Sequence, residues 1–392
     1  MHKVAVQYQI LLLMFMQTSV MFGHDHTPST TASTEYMQPI QKDGKYYYGD
    51  TDTHEHINVR KALTFLAQKM LSPTALLNGI TSMFYSAESK SDPVALLNPT
   101  TTKPVETSRE LKITWVGHSM FLIQINDFNI LTDPIQLDVM VGPLVLTKRG
   151  MPAGIRFEDL PMIDAILISH DHSDHMDTRT LTALNQQWKP MIFVPTGNGH
   201  HVKAMGFADE RIIERNWWEA YTLEQQGNRS VTFTGLPAYH WSARFSLDSY
   251  RQALWSGWMI SADDKHIYFA GDTAYGPHFK QIAQKFPSID VALMPIGPTH
   301  EGENKHAHSH TDAPEAVQAF IDLNALYFIP MHYATFFISK DTVEHPVRRL
   351  YESWQQAKLD PVRLLFARCG VQYHMGVLYE GGRAQEWRKN II

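Results

Sequence analysis

His170-Asp-His-Ser-Asp-His175 decides how this 392-residue chain is read. The six residues follow Ile163-Asp-Ala-Ile-Leu-Ile-Ser169, a short apolar run with β-branched residues and no Pro or Gly, which predicts a buried strand of an α/β sheet. The ligand-type side chains begin where that strand stops. In open α/β folds ligands sit in the crevice beyond the carboxyl ends of strands, so three imidazoles and two carboxylates gathered there are placed for metal rather than for packing. His170 and His172 stand two apart and Asp174 and His175 are adjacent, so this turn can offer one pair to each of two cations. The plainer alternative is a polar loop with no ligand.

Three more strand-like runs end on a ligand type. Val231-Thr-Phe-Thr234 leads through Pro237 to His240, Ile267-Tyr-Phe-Ala270 leads to Gly271-Asp272, and Leu326-Tyr-Phe-Ile329 leads to Met331-His332. A histidine that merely packs has no reason to recur at strand ends between 170 and 332, and the recurrence points to one shared site. Upstream, residues 111–116, 120–125 and 128–132 read as an antiparallel meander with Gly117 and Asn126-Asp127 at its turns. Asp133 closes it, where an acid either holds a metal-binding His in its working tautomer or caps the turn. Residues 139–161 carry several Gly and Pro and no clear periodicity, which predicts a loop that forms a lip over a cleft.

Helices are expected over 178–188, over 199–205, and from Thr311-Asp-Ala-Pro-Glu315 onward, where Asp312 is a good N-cap with Glu315 three residues on. His310 stands just before that start, either as a loop residue beside the cap or facing the cleft where a helix N-terminus favours an anion. A helix over 343–358 and strands within 364–379 close the fold. The alternation of strand and helix makes the fold class α/β.

Composition excludes some classes. The chain is 44% hydrophobic and 19% charged, ordinary for a globular protein. A formal net charge of -6 and no clustered Lys/Arg run argue against nucleic acid as a partner. The single Cys369 excludes an intramolecular disulfide framework and suits the cytoplasm, while a large core needs none in an oxidising compartment either. Ile10-Leu-Leu-Leu-Met-Phe-Met16 is too short to span a bilayer but has the length of a signal-peptide h-region, so residues 1–33 read as a signal peptide for export to the periplasm or cell envelope, or as a hydrophobic segment docking on the domain or a lipid surface. Residues 34–110 read as an N-terminal extension packed on a main domain over 111–392, with helical patches over 59–70 and 75–85. His24-Asp-His26 and His54-Glu-His56 imitate half of the central motif, but neither follows an apolar strand, so they read as surface histidines.

The central motif resembles the HxHxDH signature of the metallo-β-lactamase superfamily. The flanking Trp115-Val-Gly-His118, Leu131-Thr-Asp-Pro134, Trp217-Trp-Glu219, His240-Trp241, Leu254-Trp-Ser-Gly-Trp258, Phe269-Ala-Gly-Asp-Thr273, Pro295-Ile-Gly297, His310 with Pro314-Glu-Ala316, and Met331-His332 are similar to the family of N-acylphosphatidylethanolamine-hydrolysing phospholipases D. The similarity spans about 111–335. It implies an αββα sandwich of two mixed sheets and two zinc ions, with iron or manganese as alternatives. It further implies that His170, His172 and His240 hold one ion, that Asp174, His175 and His332 hold the other, and that Asp272 bridges them. Asp174, Asp272 and His310 are then the candidate catalytic residues, and His118 and Asp133 support the ligands or contact substrate. Gly142-Pro-Leu-Val-Leu-Thr-Lys-Arg149 departs from the family's usual Gly-Pro-Lys-Arg run, which bears on head-group or membrane contacts rather than on the metals.

The expected activity is hydrolysis of N-acylphosphatidylethanolamine to N-acylethanolamine and phosphatidic acid, with metal-activated water attacking phosphorus. The implied partners are a phospholipid substrate and a membrane surface, bound peripherally, and a homo-oligomer is compatible with the sequence. Trp217, Trp218, Trp241 and Phe245 read first as core and second as an acyl-chain groove. Rival readings are a sugar-phosphate lactonase or other small-molecule hydrolase on the same scaffold, and a non-catalytic metal-binding, membrane-docking module.

Overall fold

The computed structural model describes residues 36–48, 103–141, 144–244, 249–300, 309–336, 339 and 341–375. Its contacts divide the chain at residue 36, and the unit from residue 37 onward carries everything below. The first hairpin pairs β1 (Ile40–Lys42) with β2 (Lys45–Tyr47) around Asp43-Gly44, whose φ values of +51° and +71° are those an Asp-Gly turn adopts at least cost. The expected meander follows as β3 (Lys112–Gly117), β4 (Met120–Ile125) and β5 (Phe128–Thr132). Asn126 and Asp127 turn it with φ +51° and +66°.

A small hairpin, β6 (Val139–Val141) with β7 (Leu144–Thr147), precedes β8 (Ala165–Leu167), α1 (Thr178–Trp188), β9 (Met191–Pro195), α2 (Gly199–Ala204) and β10 (Ile212–Arg215). The second half runs β11 (Ala220–Gln225), β12 (Arg229–Leu236), β13 (Gly257–Ala262), β14 (Lys265–Phe269), α3 (His278–Lys285), β15 (Val291–Pro295), α4 (Ala313–Leu323), β16 (Tyr327–Met331), α5 (Glu344–Gln356) and β17 (Gln372–His374).

Two mixed sheets result. The seven-stranded sheet has the order β10-β9-β8-β5-β4-β3-β17, parallel from β10 to β5 and antiparallel beyond. The six-stranded sheet has the order β11-β12-β13-β14-β15-β16, antiparallel to β14 and parallel after it. Strand alternation explains how the layers stack. Ile113, Trp115, Phe121, Ile123, Phe128 and Ile130 face the core shared with Phe233, Trp258, Ile260 and Phe269 of the other sheet. Their neighbours Val116, Met120, Leu122 and Leu131 face the opposite way, against Leu181 and Leu184 of α1 and Val202 of α2. Phe320 of α4 and Trp354 of α5 cover the far side of the six-stranded sheet, their rings 5.0 Å apart. The central strands of both sheets are buried on two faces, which is why strands such as β8 read as unbroken apolar runs. This is the αββα sandwich implied by the motif.

Two tethers tie the sheets at the end that carries the polar residues. The Trp258 indole N–H donates to the Ile168 carbonyl at 2.8 Å, and Ser256 N donates to Ser169 O at 2.9 Å. The segment carrying the central motif is thereby fixed to both layers.

Some expectations change. The loop over 139–161 contains the β6–β7 hairpin and a 3-10 turn over Phe157–Asp159, elements of three or four residues, too short to show a period. Strands β10, β11, β13 and β15 and helix α3 carried no signal that had been read. The N-terminal run 1–33, the patches 59–70 and 75–85, and the His24 and His54 repeats lie outside the described residues, as does Phe245.

Candidate metal centre

The donors gather at the carboxyl ends of strands from both sheets. The motif turn follows β8 and is closed by Met176 N donating to His172 O at 2.8 Å. His240 follows β12, Asp272 follows β14, and His332 follows β16. His118 lies on the tight β3–β4 turn after Gly117. Several of these residues sit in left-handed backbone: His118 at φ +53°, Asp133 at +34°, Gly271 at +59° and His332 at +59°. Such conformations persist only where surrounding contacts over-determine them. Here His332 N donates to His118 O at 3.2 Å and His118 N donates to Thr335 Oγ1 at 2.6 Å.

The hydrogen bonds fix the tautomers. A carbonyl can only accept, so the ring nitrogen facing one must carry the proton. His240 Nδ1 lies 2.7 Å from Ser309 O, and His332 Nδ1 lies 3.0 Å from Gly297 O. His175 Nδ1 lies 2.7 Å from Asp133 Oδ2, which also accepts from Ser169 Oγ at 2.6 Å. Ser169 Oγ, having given its proton to Asp133, accepts from His170 Nδ1 at 2.8 Å. In the neutral form of each ring the lone pair then falls on Nε2, aimed inward.

These lone pairs converge. His170 Nε2 lies 2.8 Å from His172 Nδ1, and His240 Nε2 lies 3.2 Å from the same atom. Asp272 Oδ2 is 3.1 Å from His332 Nε2, 3.2 Å from the Nε2 atoms of His175 and His310, and 4.0 Å from those of His170 and His240. Asp174 Oδ2 is 3.3 Å from His118 Nε2 and 3.6 Å from His175 Nε2. Two donor groups can each surround one ion: His170, His172 and His240, and His118, Asp174, His175 and His332. Asp272 joins His240 and His310 between them.

Electrostatics describe the same cage. Burial, reinforced by neighbouring imidazoles, pushes His170 and His240 well below their ordinary value. Burial lowers His172 to about 4 and, with His332 beside it, His118 to about 3, so these rings are neutral donors at pH 7. Burial also opposes charge on His175, but Asp272, Asp174 and Asp133 outweigh it and raise that ring well above its usual value. The acids of the cage favour positive charge at its centre. Burial works against ionisation of Asp174 and Asp272, yet the imidazoles around them hold both carboxyls below the usual range. The Asp133 carboxyl is pushed up by burial against the pull of His175 and Ser169.

A metal fits this set. The Nε2 atoms of His118, His175 and His332, and Asp272 Oδ1, are buried with no hydrogen-bond partner among the described residues. Unpartnered buried polar atoms are costly, and several pointed at common centres are what cation ligands look like before the cation is counted.

The site also holds Ser169, Phe336 and Arg244, which the sequence reading did not single out, and places Trp241, read first as core, beside a ligand. Ser169 joins Asp133 to His170. The Trp241 ring packs edge-on against His172 with centroids 4.2 Å apart, and Phe336 packs on His118 at 5.0 Å. Buried Arg244 donates to Asp171 O at 2.8 Å and to Thr178 Oγ1 at 2.8 Å, linking the motif turn to the His240 loop. Ser169 stands beside the motif and was within reach; nothing local marks Phe336 or Arg244. Trp217 is core, and Trp218 is half-buried with its indole N–H on Met37 O at 2.7 Å.

An αββα sandwich whose strand ends present two groups of His and Asp donors defines a metallo-β-lactamase-type hydrolase scaffold. The Beta-lactamase superfamily domain matches residues 128–333, and the chain belongs to that superfamily. An uncharacterized protein of Mycobacterium tuberculosis is 32% identical over 274 residues, covering 68% of this chain and 69% of its own. An N-acyl-phosphatidylethanolamine-hydrolyzing phospholipase D of Caenorhabditis elegans is 33% identical over 235 residues, covering 57% of this chain and 64% of its own. Among solved structures, the metallo hydrolase Igni18 of Ignicoccus hospitalis shares the fold with a TM-score of 0.50 at 24% identity, over 67% of this chain and 98% of its own. The chain is a metal-dependent hydrolase of metallo-β-lactamase fold, with His/Asp clusters suited to metal.

Proposed function

We propose that the protein is a dinuclear zinc phosphodiesterase of phospholipase D type, cleaving N-acylphosphatidylethanolamine to N-acylethanolamine and phosphatidic acid at a membrane surface to which it binds peripherally. The observation that carries this reading is the convergence of imidazole nitrogens, oriented by carbonyl and carboxylate partners on the far side of each ring, around Asp272 Oδ2. Imidazole-rich donor sets with few carboxylates suit zinc. When bound, two such ions supply Lewis acidity and lower the pKa of water so that it attacks phosphorus near neutral pH. The worm relative's name supplies the substrate class.

The chain's own groups have defined tasks. Only Asp174 and Asp272 contribute negative charge to the donor set, so the filled site is net positive and favours an anionic phosphodiester over a neutral ester. Asp272 Oδ2, central to the imidazoles, holds the two halves at fixed separation. Asp174, kept ionised by the surrounding imidazoles, accepts and returns the proton that water loses, and the phosphorus–oxygen bond to the N-acylethanolamine breaks with that proton on the leaving alkoxide. His310, 3.2 Å from Asp272 and at the site's margin, contacts the phosphoryl oxygens.

The test is zinc-loaded protein mixed with vesicles containing N-acylphosphatidylethanolamine, with products read by mass spectrometry. Phosphatidic acid and N-acylethanolamine are expected, and Asp272→Asn should abolish both while circular dichroism is unchanged. Intact lipid, with a sugar-phosphate lactone opened instead, overturns the substrate and leaves the centre standing.

A further inference from the structure

The structure assigns residues 37–48, acting through Arg251, a positioning role for the His240 half of the metal centre. Arg251 is 1% exposed and sits in left-handed backbone at φ +61°. Its guanidinium lies over four rings: Tyr47 at 4.9 Å, Tyr250 at 5.4 Å, Trp255 at 5.6 Å and Tyr48 at 5.9 Å. Two of those rings come from the N-terminal hairpin and two from the loop that follows His240. A buried guanidinium is tolerated only where π faces and acceptors replace its water, so the hairpin completes an environment the loop cannot make alone.

The backbone carries this to the ligand. Tyr46 N donates to Arg251 O at 2.8 Å, and Arg251 N donates to Ser242 O at 2.7 Å, two residues past His240. On the other side of His240, the Tyr48 ring stacks on Tyr239 with centroids 4.2 Å apart and planes 17° from parallel. Trp255, whose ring meets Tyr48 edge-on, donates its indole N–H to Ala238 O at 2.8 Å. His240 is thus gripped from both flanks by groups the hairpin supports. The grip extends to His172, because the Trp241 ring stands between Tyr250 at 5.7 Å and His172 at 4.2 Å. The other donor group takes its orientation from Asp133, Gly297 and Thr335, and these contacts do not involve the hairpin.

Loosening the hairpin therefore weakens one cation and spares the other, an asymmetry that general destabilisation does not produce. The inference rests on the dinuclear reading of the donors. The test titrates full-length metal-free protein with Zn2+ against a chromophoric chelator and follows folding by circular dichroism. Tyr48→Leu, which keeps apolar volume but loses the stack, and Arg251→Lys, which loses the planar fork, should each weaken one of two zinc equivalents by about 10- to 100-fold, the usual effect of removing support behind a ligand. Tyr48→Phe should restore wild-type affinity. Equal weakening of both equivalents, or no change in either variant, overturns the inference while the dinuclear reading stands. A wild-type chain that binds no zinc overturns both.

Discussion

Asp133→Asn separates a metal centre from a merely polar crevice. Three donors converge on this carboxylate: His175 Nδ1 at 2.7 Å and Ser169 Oγ at 2.6 Å on Oδ2, and Ser169 N at 2.7 Å on Oδ1. Asparagine tolerates the left-handed φ of +34°, so the backbone has no reason to move. If its amide oxygen keeps the Ser169 N–H, its NH2 stands where Oδ2 stood and faces His175. That ring must then accept at Nδ1 and carry its proton on Nε2, the atom that points into the centre. The lone pair is lost without any atom being displaced. Losing the support behind a ligand costs about 10- to 100-fold in metal affinity, or about 1.4 to 2.7 kcal/mol. Each buried donor left unpaired costs about 1 to 3 kcal/mol of stability. Zinc titration of metal-free protein against a chelator reads the first quantity and urea unfolding the second. Two zinc equivalents held at wild-type affinity in Asp133→Asn would refute the tautomer argument.

Two further outcomes follow from the geometry. A Cβ at Gly271 would lie 2.5 Å from the Ser169 Cβ in a backbone at φ +59°, so Gly271→Ala should lower stability by about 1 to 3 kcal/mol in urea and displace Asp272, reducing zinc affinity with it; an unchanged urea midpoint would show that the turn can relax. Burial holds His278 at about 3, below its unfolded value near 6.5, so the unfolded chain takes up this proton first. The stability it contributes is complete above about pH 6.5 and is lost as pH falls, by about 2 kcal/mol at pH 5. His278→Gln, which can still bond Thr273 Oγ1, should remove that part of the acid sensitivity, and parallel pH–stability curves for the two proteins would exclude it.

The sequence and the structure agree where chemistry and local pattern coincide. The motif at 170–175, the meander over 111–132 and the capping box at Asp312 are each written in consecutive residues, so strand period, turn type and cap can be read directly. His240, Asp272 and His332 were legible because each terminates an apolar run. What escaped depends on partners far along the chain. Strand β15, Val-Ala-Leu-Met-Pro, carries too little pattern to mark a strand before it pairs with β14 and β16. Helix α3, at eight residues, is too brief for its period to register. Arg251 looks like a surface residue until Tyr47 and Tyr48, about two hundred positions earlier, close over it. The β6–β7 hairpin exposes Leu146 at 67%, so no inward-facing period announced it.

Each donor group draws on both layers of the sandwich: His170 and His172 with His240 across the seam, and Asp174 and His175 with His332 across it. An ion in either place therefore acts as a rivet between the sheets, and neither sheet on its own holds a complete set of ligands. Capture of an ion in either place would have to wait until the halves have docked, which would make a partly folded chain a poor scavenger of metal. Once filled, the rivets resist prising the layers apart, which couples the supply of metal to the protein's lifetime as well as to its chemistry.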